Sequence, residues 1–282
     1  MGILISLARR FVAGENLEDA IFAARKLNKD DISVTIDFLG EHTKSKKEAL
    51  ENLQNYIKLI KTLRILKLNS NVSVKLTSLG IDINKEFCYS NLNKLIRLSK
   101  KYIIPLTIDM ESSIYTSTTL RFYKKLHKKF KSLEVALQAN LKRSKKDIDS
   151  LIKTKSNIRL VKGAYKENPK IAYKNKEYVN KSYTDLLRKL LKSKCFISIA
   201  THDEKIINFS KSLINKYKIK KNKYEFQMLY GIRRDIQKKL ADQNYPIRVY
   251  VPYGKKWLPY FYRRLRERKE NLLFIVKNLI RG

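Results

Sequence analysis

Polar residues that could bind and transform a small molecule follow short apolar segments at intervals along the chain. They are Asp37, Glu41, Lys75, Asp109, Glu111, Gln138, Arg159, Lys162, Thr201, His202, Gln227 and Tyr250. Together, such cations and hydrogen-bonding groups suit an anionic organic molecule, for example a carboxylate substrate or a phosphate-bearing cofactor. Taken singly, each has the simpler interpretation of an ion pair that only satisfies its neighbour.

A second candidate is the segment "RVYVPYGKKWLPYFYRRLRER", residues 248–268. Its apolar start breaks at a glycine, passes an aromatic cluster and ends in the paired Arg263 and Arg264. Three hypotheses fit these residue types: a nucleic-acid-binding helix, a membrane-surface helix and a clamp for an anionic substrate. The residues alone leave all three open.

Several common active-site motifs are absent from the sequence. It contains no G-x-G-x-x-G, no P-loop, no H-E-x-x-H and no G-x-S-x-G motif. Its three histidines do not favour a multi-histidine metal centre, so we expect no metal site, and His127, among lysines, is predicted to face solvent. Because side chains cannot accept a hydride, a redox reaction here would need a bound cofactor.

Composition indicates an ordinary folded protein with a very basic surface. The 282 residues, 43% of them hydrophobic, fit one large domain. The charge of +36 would attract nucleic acid or anionic lipid, but its spread along the chain favours a solvated lysine-rich surface. Two distant cysteines, no signal peptide and no apolar run near ~20 residues together predict a cytoplasmic protein.

Eight short apolar segments alternate with segments of helical periodicity. They span residues 31–40, 71–80, 103–112, 133–140, 157–165, 195–203, 224–231 and 247–254. Near-continuous apolar strands indicate a parallel sheet covered on both faces. We therefore predict an α/β fold, a (β/α)8 barrel forming a single domain over residues 1–282 with 1–30 as a helical extension; a doubly wound open sheet is the alternative. A barrel would bring the polar residues together at the carboxyl ends of its strands.

Ten phrases of the sequence carry a resemblance to a known family. "FVAGENLEDA", "VTIDFLGEHT", "VSVKLTSLG", "LTIDMES", "LQANL", "RLVKGAYKE", "THD", "YEFQMLYGIR", "RVYVPYG" and "YFYRRLRER" resemble the proline dehydrogenase family in order and approximate spacing, from about residue 11 onward. The resemblance implies a distorted (β/α)8 barrel that binds FAD without a Rossmann domain. It also implies oxidation of L-proline to Δ1-pyrroline-5-carboxylate, the first step of proline catabolism, with electrons passed to a quinone.

The resemblance also implies roles for particular residues. Those for substrate binding are Lys75, Arg263 and Arg264 around the proline carboxylate, Glu267 bracing the arginines, and Leu229, Tyr250 and Tyr260 around the ring. Asp109 and Arg159 are the implied catalytic residues. Tyr250 leaves little room for a 4-hydroxyl group, so we expect proline to be preferred to hydroxyproline.

The implied FAD-binding residues are Met110, Gln138, Arg159, Lys162, Gly163, Ala164, Thr201 and His202. A glycine at position 163 would let the backbone approach the cofactor. The chain departs from the family pattern at Asn244, where glycine is common; asparagine also adopts the left-handed conformation. Asn175 and Asn180 stand where threonine and aspartate are usual.

The resemblance extends to partners. Because no aldehyde dehydrogenase domain follows Gly282, we expect a separate pyrroline-5-carboxylate dehydrogenase downstream, and no nucleic acid partner. The basic surface and the C-terminal "LLFIVKNLIRG" could contact the anionic inner face of a membrane, where a quinone dissolves. The alternative functions are oxidation of another cyclic imino acid such as hydroxyproline, and sequence-independent nucleic acid binding.

Overall fold

Eight parallel strands close into a barrel in the computed structural model, which describes residues 8–267 and, of these, all side chains except those of 266 and 267. The strands are β1 (Ser33–Phe38), β2 (Ser70–Val74), β3 (Leu106–Ile108), β4 (Leu133–Gln138), β5 (Asn157–Val161), β6 (Phe196–Ala200), β7 (Tyr224–Leu229) and β8 (Ile247–Tyr253). Each strand pairs with the next, and β8 pairs with β1. The barrel confirms the predicted fold and excludes the open sheet.

Helices alternate with the strands, and all but the last lie around the outside of the barrel. They are α1 (Leu17–Lys29), α2 (Lys46–Ile65), α3 (Lys85–Tyr102), α4 (Ser113–His127), α5 (Ser144–Lys153), α6 (Lys176–Leu191), α7 (Glu204–Lys216), α8 (Arg234–Asp242) and α9 (Leu258–Glu267). Of the predicted extension over residues 1–30, α1 is the main described helix, and residues 1–7 lie outside the description. No helix of the described residues is long and apolar enough to cross a membrane.

Local sequence accounts for where these helices begin. Ser45 accepts a hydrogen bond from the Glu48 amide at the start of α2, and Asn175 does the same for the Glu177 amide at the start of α6. Both residues are strong N-caps because their side-chain oxygens satisfy amides that the helix leaves unpaired. Asn244 has a φ of 59°, which confirms the left-handed conformation expected at this departure from glycine.

The helix that follows β8 does not pack on the outside of the barrel beside β8. Helix α1 occupies that position against β1 and β8. Helix α9 packs instead through Tyr260 and Phe261, with Trp257 just before it, on a separate apolar cluster that includes Phe11. The chain before α1 approaches the barrel closely, because a Cβ atom at Gly231 (φ +74°) would lie 1.5 Å from the Arg10 carbonyl oxygen. This arrangement places α9 at the mouth of the barrel.

His127 does not face solvent, so the sequence prediction was wrong there. Its side chain is buried at 2% exposure, Nδ1 lies 3.2 Å from the Leu133 carbonyl oxygen, and the ring stacks on Tyr123. Tyr123 and His127 are four residues apart and therefore share the helix face that packs on the barrel. Burial lowers the pKa of His127.

The interior of the barrel is polar at mid-height. Barrels of this type are usually filled by bulky apolar side chains. Here the buried residues include Ser73, Thr107, Glu134, Arg159, Ser198, Glu225 and Gln227, from six consecutive strands. Hydrogen bonds link them into one network that leads up to the mouth.

Candidate active site

Lys75, directly after β2, is the centre of the polar cluster at the mouth. Its Nζ lies 2.7 Å from Asp37 Oδ2 and 2.9 Å from Asp109 Oδ2, and it donates to the Tyr250 hydroxyl at 3.0 Å. Burial disfavours the ammonium ion, but Asp37 and the other anions raise the pKa of Lys75 well above its usual value. The lysine is therefore a fixed cation in the site.

Asp109, directly after β3, accepts hydrogen bonds on both carboxylate oxygens. Oδ1 accepts from Ser73 Oγ at 2.5 Å and from Arg159 Nη1 at 2.7 Å, while Oδ2 accepts from the Tyr250 hydroxyl at 2.6 Å. Burial favours the neutral acid, but Lys75 and Arg159 outweigh it and lower the pKa of Asp109. Asp109 is thus held as a carboxylate.

Arg159, within β5, forms the floor of the site. Its guanidinium contacts Asp109 through Nη1 and the Thr107 hydroxyl through Nη2, at 2.7 and 3.2 Å. The guanidinium carbon lies 5.3 Å from the centre of the Tyr250 ring, a cation–π distance. Its Nε is buried and has no hydrogen-bond partner among the side chains that the structure describes. A buried donor of this kind calls for an acceptor from a bound molecule or water.

Arg263, on α9, closes the cluster from above. It forms a two-point ion pair with Glu41, at 2.7 and 3.1 Å. Lys75 Nζ lies 3.8 Å from the same carboxylate, so two cations converge on it. Arg264 is buried on the same helix, with its guanidinium carbon 5.1 Å from the centre of the Tyr260 ring. The mouth can therefore hold a small carboxylate between α9 and β2.

The remaining predicted residues lie at the ends of β4 to β7. Gln138 ends β4 and donates to the Glu111 carbonyl oxygen at 2.9 Å. Lys162, after β5, pairs with Asp203 at 2.8 Å. His202 Nε2 accepts from the Leu229 amide at 2.8 Å, so in the neutral ring the proton is on Nδ1. Met110, Gly163, Ala164 and Thr201 directly follow or lie near strand ends in the same arc.

The residues in this arc fit a flavin dinucleotide. Gly163 has a φ of +113°, and a Cβ atom there would lie 2.2 Å from Asn140 Oδ1. Asn140 Oδ1 is buried without a partner among the described residues. The absent side chain at Gly163, the neighbouring Lys162 cation and the Asn140 acceptor suit a pyrophosphate and a flat ring that carries both hydrogen-bond donors and acceptors.

The structure joins Lys75, Asp109, Arg159, Tyr250 and Arg263 in one cluster and places the other predicted residues at the ends of strands or on α9. Glu267 ends α9, but its side chain lies outside the description, and so does the C-terminal segment "LLFIVKNLIRG". Two contacts were missed in the sequence. Glu41 was noted only as a polar residue and is the partner of Arg263; Tyr165 has its ring centre 5.8 Å from the Arg263 guanidinium carbon. The phrase "RLVKGAYKE" contains Tyr165 and could have identified it.

Glu111 is a buried carboxyl group beside the site. It accepts hydrogen bonds from the Thr77 amide and hydroxyl, at 3.1 and 2.5 Å. Burial raises the pKa of Glu111 to about 7. A raised carboxyl pKa stabilises the fold below the unfolded-state pKa, and that stabilisation is lost as pH rises through the folded-state pKa.

We expect Glu111→Gln to remove part of the pH dependence of stability. A shift from 4.5 to about 7 corresponds to roughly 3 kcal/mol at full ionisation. The variant should therefore be more stable than the native protein at pH 8 and no more stable at pH 4.5, as measured by urea unfolding. Glu51→Gln, an exposed change on α2, is the control. If the free energy of unfolding had the same pH dependence in the native protein and in Glu111→Gln, the expectation would be contradicted.

Comparisons with known proteins agree with this geometry. A family model described as proline dehydrogenase matches residues 20–277. Proline dehydrogenase 2 of Bacillus subtilis (strain 168) is 42% identical over 96% of this chain and 90% of its own length. Proline dehydrogenase of Deinococcus radiodurans is 39% identical over 98% of this chain and 91% of its own length.

A solved structure shows the same fold. The crystal structure of proline utilization A (PutA) from Bdellovibrio bacteriovorus, inactivated by N-propargylglycine, superposes with a TM-score of 0.87 at 27% identity. The match covers 93% of this chain but only 32% of that longer chain. Given the family model over most of its length and relatives near 40% identity, the chain belongs to the proline dehydrogenase family.

Proposed function

We propose that the protein oxidises L-proline to Δ1-pyrroline-5-carboxylate with FAD as the hydride acceptor, as the first step of proline catabolism. The observation that carries the proposal is the convergence of Arg263 and Lys75 on one carboxylate, that of Glu41, directly above Asp109 and Arg159. The site thus already holds a carboxylate where a substrate carboxylate would bind. The family membership and the names of the relatives support the same reaction.

The carboxylate of proline would bind Arg263, Arg264 and Lys75. Because Arg263 is paired with Glu41, the substrate must compete with that glutamate for the guanidinium. Tyr250, Tyr260 and Leu229 would enclose the ring, which orients the carbon that gives up the hydride. The paired hydrogen bonds of an arginine fix orientation as well as affinity.

Asp109 would orient Lys75 and the substrate amine. The amine must be neutral before hydride leaves the adjacent carbon. With its pKa lowered by Lys75 and Arg159, Asp109 is a weak proton acceptor. Its role is therefore to position, through its contacts with Lys75 and Tyr250.

When bound, FAD supplies the two-electron acceptor that side chains lack. The residues proposed to hold it are Met110, Gln138, Arg159, Lys162, Gly163, Ala164, Thr201 and His202. Arg159 would stabilise the negative charge that develops as hydride is transferred, because a buried cation needs no reorganisation at that moment. Lys162 and His202 would act further along the arc, on the phosphate and adenosine parts.

An absorption spectrum taken anaerobically before and after adding L-proline tests the proposal. A flavin spectrum that bleaches with proline, and not with glycine, is the expected result. A flavin that stays oxidised would refute proline as the substrate and favour another cyclic imino acid. Folded protein that takes up no added FAD, yet binds DNA with a steep salt dependence, would favour the nucleic acid alternative.

We expect Tyr250→Ser to widen the substrate range. Tyr250 fills the space above Asp109 and Lys75, where it donates to one and accepts from the other. Removing the Tyr250 phenol ring creates room for a 4-hydroxyl group on the substrate. It also removes the contacts that Tyr250 would make with the ring of proline. The ratio of kcat/KM for hydroxyproline to that for proline should therefore rise, while proline activity falls about tenfold or more. A variant with no gain in this ratio would contradict the steric argument; Tyr250→Phe is the matched control that keeps the ring.

We also propose a quinone as the final electron acceptor and a cytoplasmic protein that contacts anionic membrane. The +36 charge supports this, since about 1 kcal/mol per basic residue near an anionic surface accumulates quickly. Purified protein should co-sediment with vesicles containing phosphatidylserine at low salt and not with phosphatidylcholine vesicles. If equal amounts of protein co-sedimented with both kinds of vesicle, the proposed contact with anionic membrane would be contradicted.

The pyrroline product must be consumed by a dehydrogenase, which we propose is a separate protein. Relatives that carry only the name proline dehydrogenase are covered over about 90% of their length by this chain.

A further inference from the structure

Glu134 lies below the site, inside the barrel on β4, and is not among the residues given a role in the function proposed above. Its carboxylate is buried and fixed by two hydroxyl groups: Oε2 accepts from Thr107 Oγ1 at 2.7 Å, and Oε1 from Ser198 Oγ at 2.5 Å. These bonds come from strands β3 and β6, on either side of β4 and β5. Glu134 therefore has a defined orientation rather than a choice of rotamers.

The cation that compensates Glu134 is Arg159. Arg159 Nη2 lies 3.4 Å from Glu134 Oε2, and among the described side chains, residues 8–265, no other lysine or arginine forms an ion pair with Glu134. The neighbouring buried carboxylate, Glu225, differs in this respect, because Arg248 pairs with it at 2.8 Å. A buried carboxylate without a cation is strongly unfavourable, so Glu134 depends on Arg159.

Arg159 is consequently shared between two carboxylates on opposite sides. Nη1 contacts Asp109 at 2.7 Å on the side of the mouth, while Nη2 faces Glu134 below. The Thr107 hydroxyl accepts from Nη2 and donates to Glu134, so it fixes the geometry of the lower contact. The guanidinium plane is thereby held from both ends.

We propose that Glu134 is a positioning residue for the reaction: it fixes the Arg159 guanidinium at the floor of the site and reduces the positive charge that Arg159 presents there. The inference rests on the proposed function, because it concerns the residue assigned to stabilise the developing negative charge. Glu134 acts through Arg159 and does not itself contact the substrate.

The direction in which a Glu134 substitution shifts reduction and anion binding at the site follows from the charge that the substitution removes. Glu134→Gln keeps the size of the side chain and can keep hydrogen bonds to Thr107 and Ser198, but it removes one buried negative charge. Every equilibrium that adds negative charge to the site should then become more favourable. A unit charge about 10 Å away, in an effective dielectric of about 20, changes such an equilibrium by about tenfold.

Two equilibria report this charge without any turnover of proline. One is the two-electron reduction of the bound flavin by dithionite in the presence of a reference dye. The other is binding of tetrahydrofuran-2-carboxylate, a proline analogue whose ring oxygen replaces the amine, followed by the change in the flavin spectrum. For Glu134→Gln we expect a midpoint potential about 30 mV higher, which is the tenfold change for two electrons, and an analogue bound about tenfold more tightly.

Two further variants separate the effect of the Glu134 charge from the effect of its structural contacts. Ser198→Ala removes one anchor of Glu134 but not its charge, so the potential should stay at the native value. Glu134→Asp keeps the charge but withdraws it from Arg159, so a smaller upward shift is expected. A Glu134→Gln protein with lower thermal stability and unchanged potential and affinity would show a purely structural role and overturn the proposal.

The outcomes remain decisive if Glu134→Gln does not fold. In that case Glu134→Asp must raise the potential, and an unchanged potential refutes the inference. Neither readout uses proline as reductant. Native flavoprotein that proline fails to reduce would overturn the proposed function, whereas a missing shift in the variants would overturn only the role of Glu134.

Discussion

Arg263→Met should raise the KM for L-proline by at least about a hundredfold while reducing kcat much less. Methionine has a similar length but no charge, so the substrate carboxylate loses a two-point ion pair. Hydrogen bonds to charged groups contribute about 1.5–3 kcal/mol each, and two of them correspond to roughly a hundredfold or more in affinity. The present Arg263–Glu41 pair, at 2.7 and 3.1 Å, shows that the guanidinium can hold a carboxylate in this way. Steady-state kinetics at saturating quinone analogue measures both constants.

Three comparisons make this prediction specific. Arg263→Lys keeps the charge but not the forked geometry and should fall between native and Arg263→Met. Pyrrolidine, which lacks the carboxylate, should bind native protein and Arg263→Met equally. Arg188→Met removes an exposed arginine paired with Asp185 and should leave KM unchanged. A loss of pyrrolidine affinity equal to that for proline would show that the variant distorts α9, and would contradict the clamp.

The barrel could be predicted from the sequence because each strand is a short apolar segment that ends at polar residues. Lys75 and Asp109 lie directly after β2 and β3, and a parallel barrel must bring such positions to one mouth. The register of pairing then decides which side chains meet, and no local pattern specifies it. The 2.9 Å contact between Lys75 and Asp109 is therefore a structural result, not one that periodicity could supply.

Two features depend on packing between distant parts of the chain and were not predictable. Helix α9 is amphipathic and follows β8, so its periodicity alone does not distinguish a position on the outside of the barrel from one over the mouth; only the resemblance implied the latter. Its position over the mouth depends on the apolar cluster with Phe11, more than 240 positions away in the sequence. His127 was misjudged for a similar reason: its lysine neighbours indicate a solvated face, but its ring is on the Tyr123 side of α4.

Arg159→Met should slow reduction of the bound flavin by proline by roughly a hundred- to a thousandfold. That range is typical when one preorganised electrostatic contact to a developing charge is removed. The variant should also be less stable, because Glu134 would lose the cation that pairs with it and Asp109 would keep Lys75 but lose Arg159. Breaking a buried ion pair from one side destabilises by about 3–5 kcal/mol. Anaerobic stopped-flow absorption measures the rate, and thermal unfolding with added FAD measures the stability.

The double variant Arg159→Met with Glu134→Gln separates the two effects. Removing the lower carboxylate relieves the uncompensated charge, so part of the lost stability should return. The rate should not return, because the cation that faces the reacting atoms is still absent. Arg159→Lys keeps a positive charge at the floor of the site. It should therefore retain more of the flavin reduction rate and more of the stability than Arg159→Met does. Flavin reduction at the native rate in Arg159→Met would exclude the electrostatic role, and equal stability of the single and double variants would show that Glu134 does not depend on Arg159.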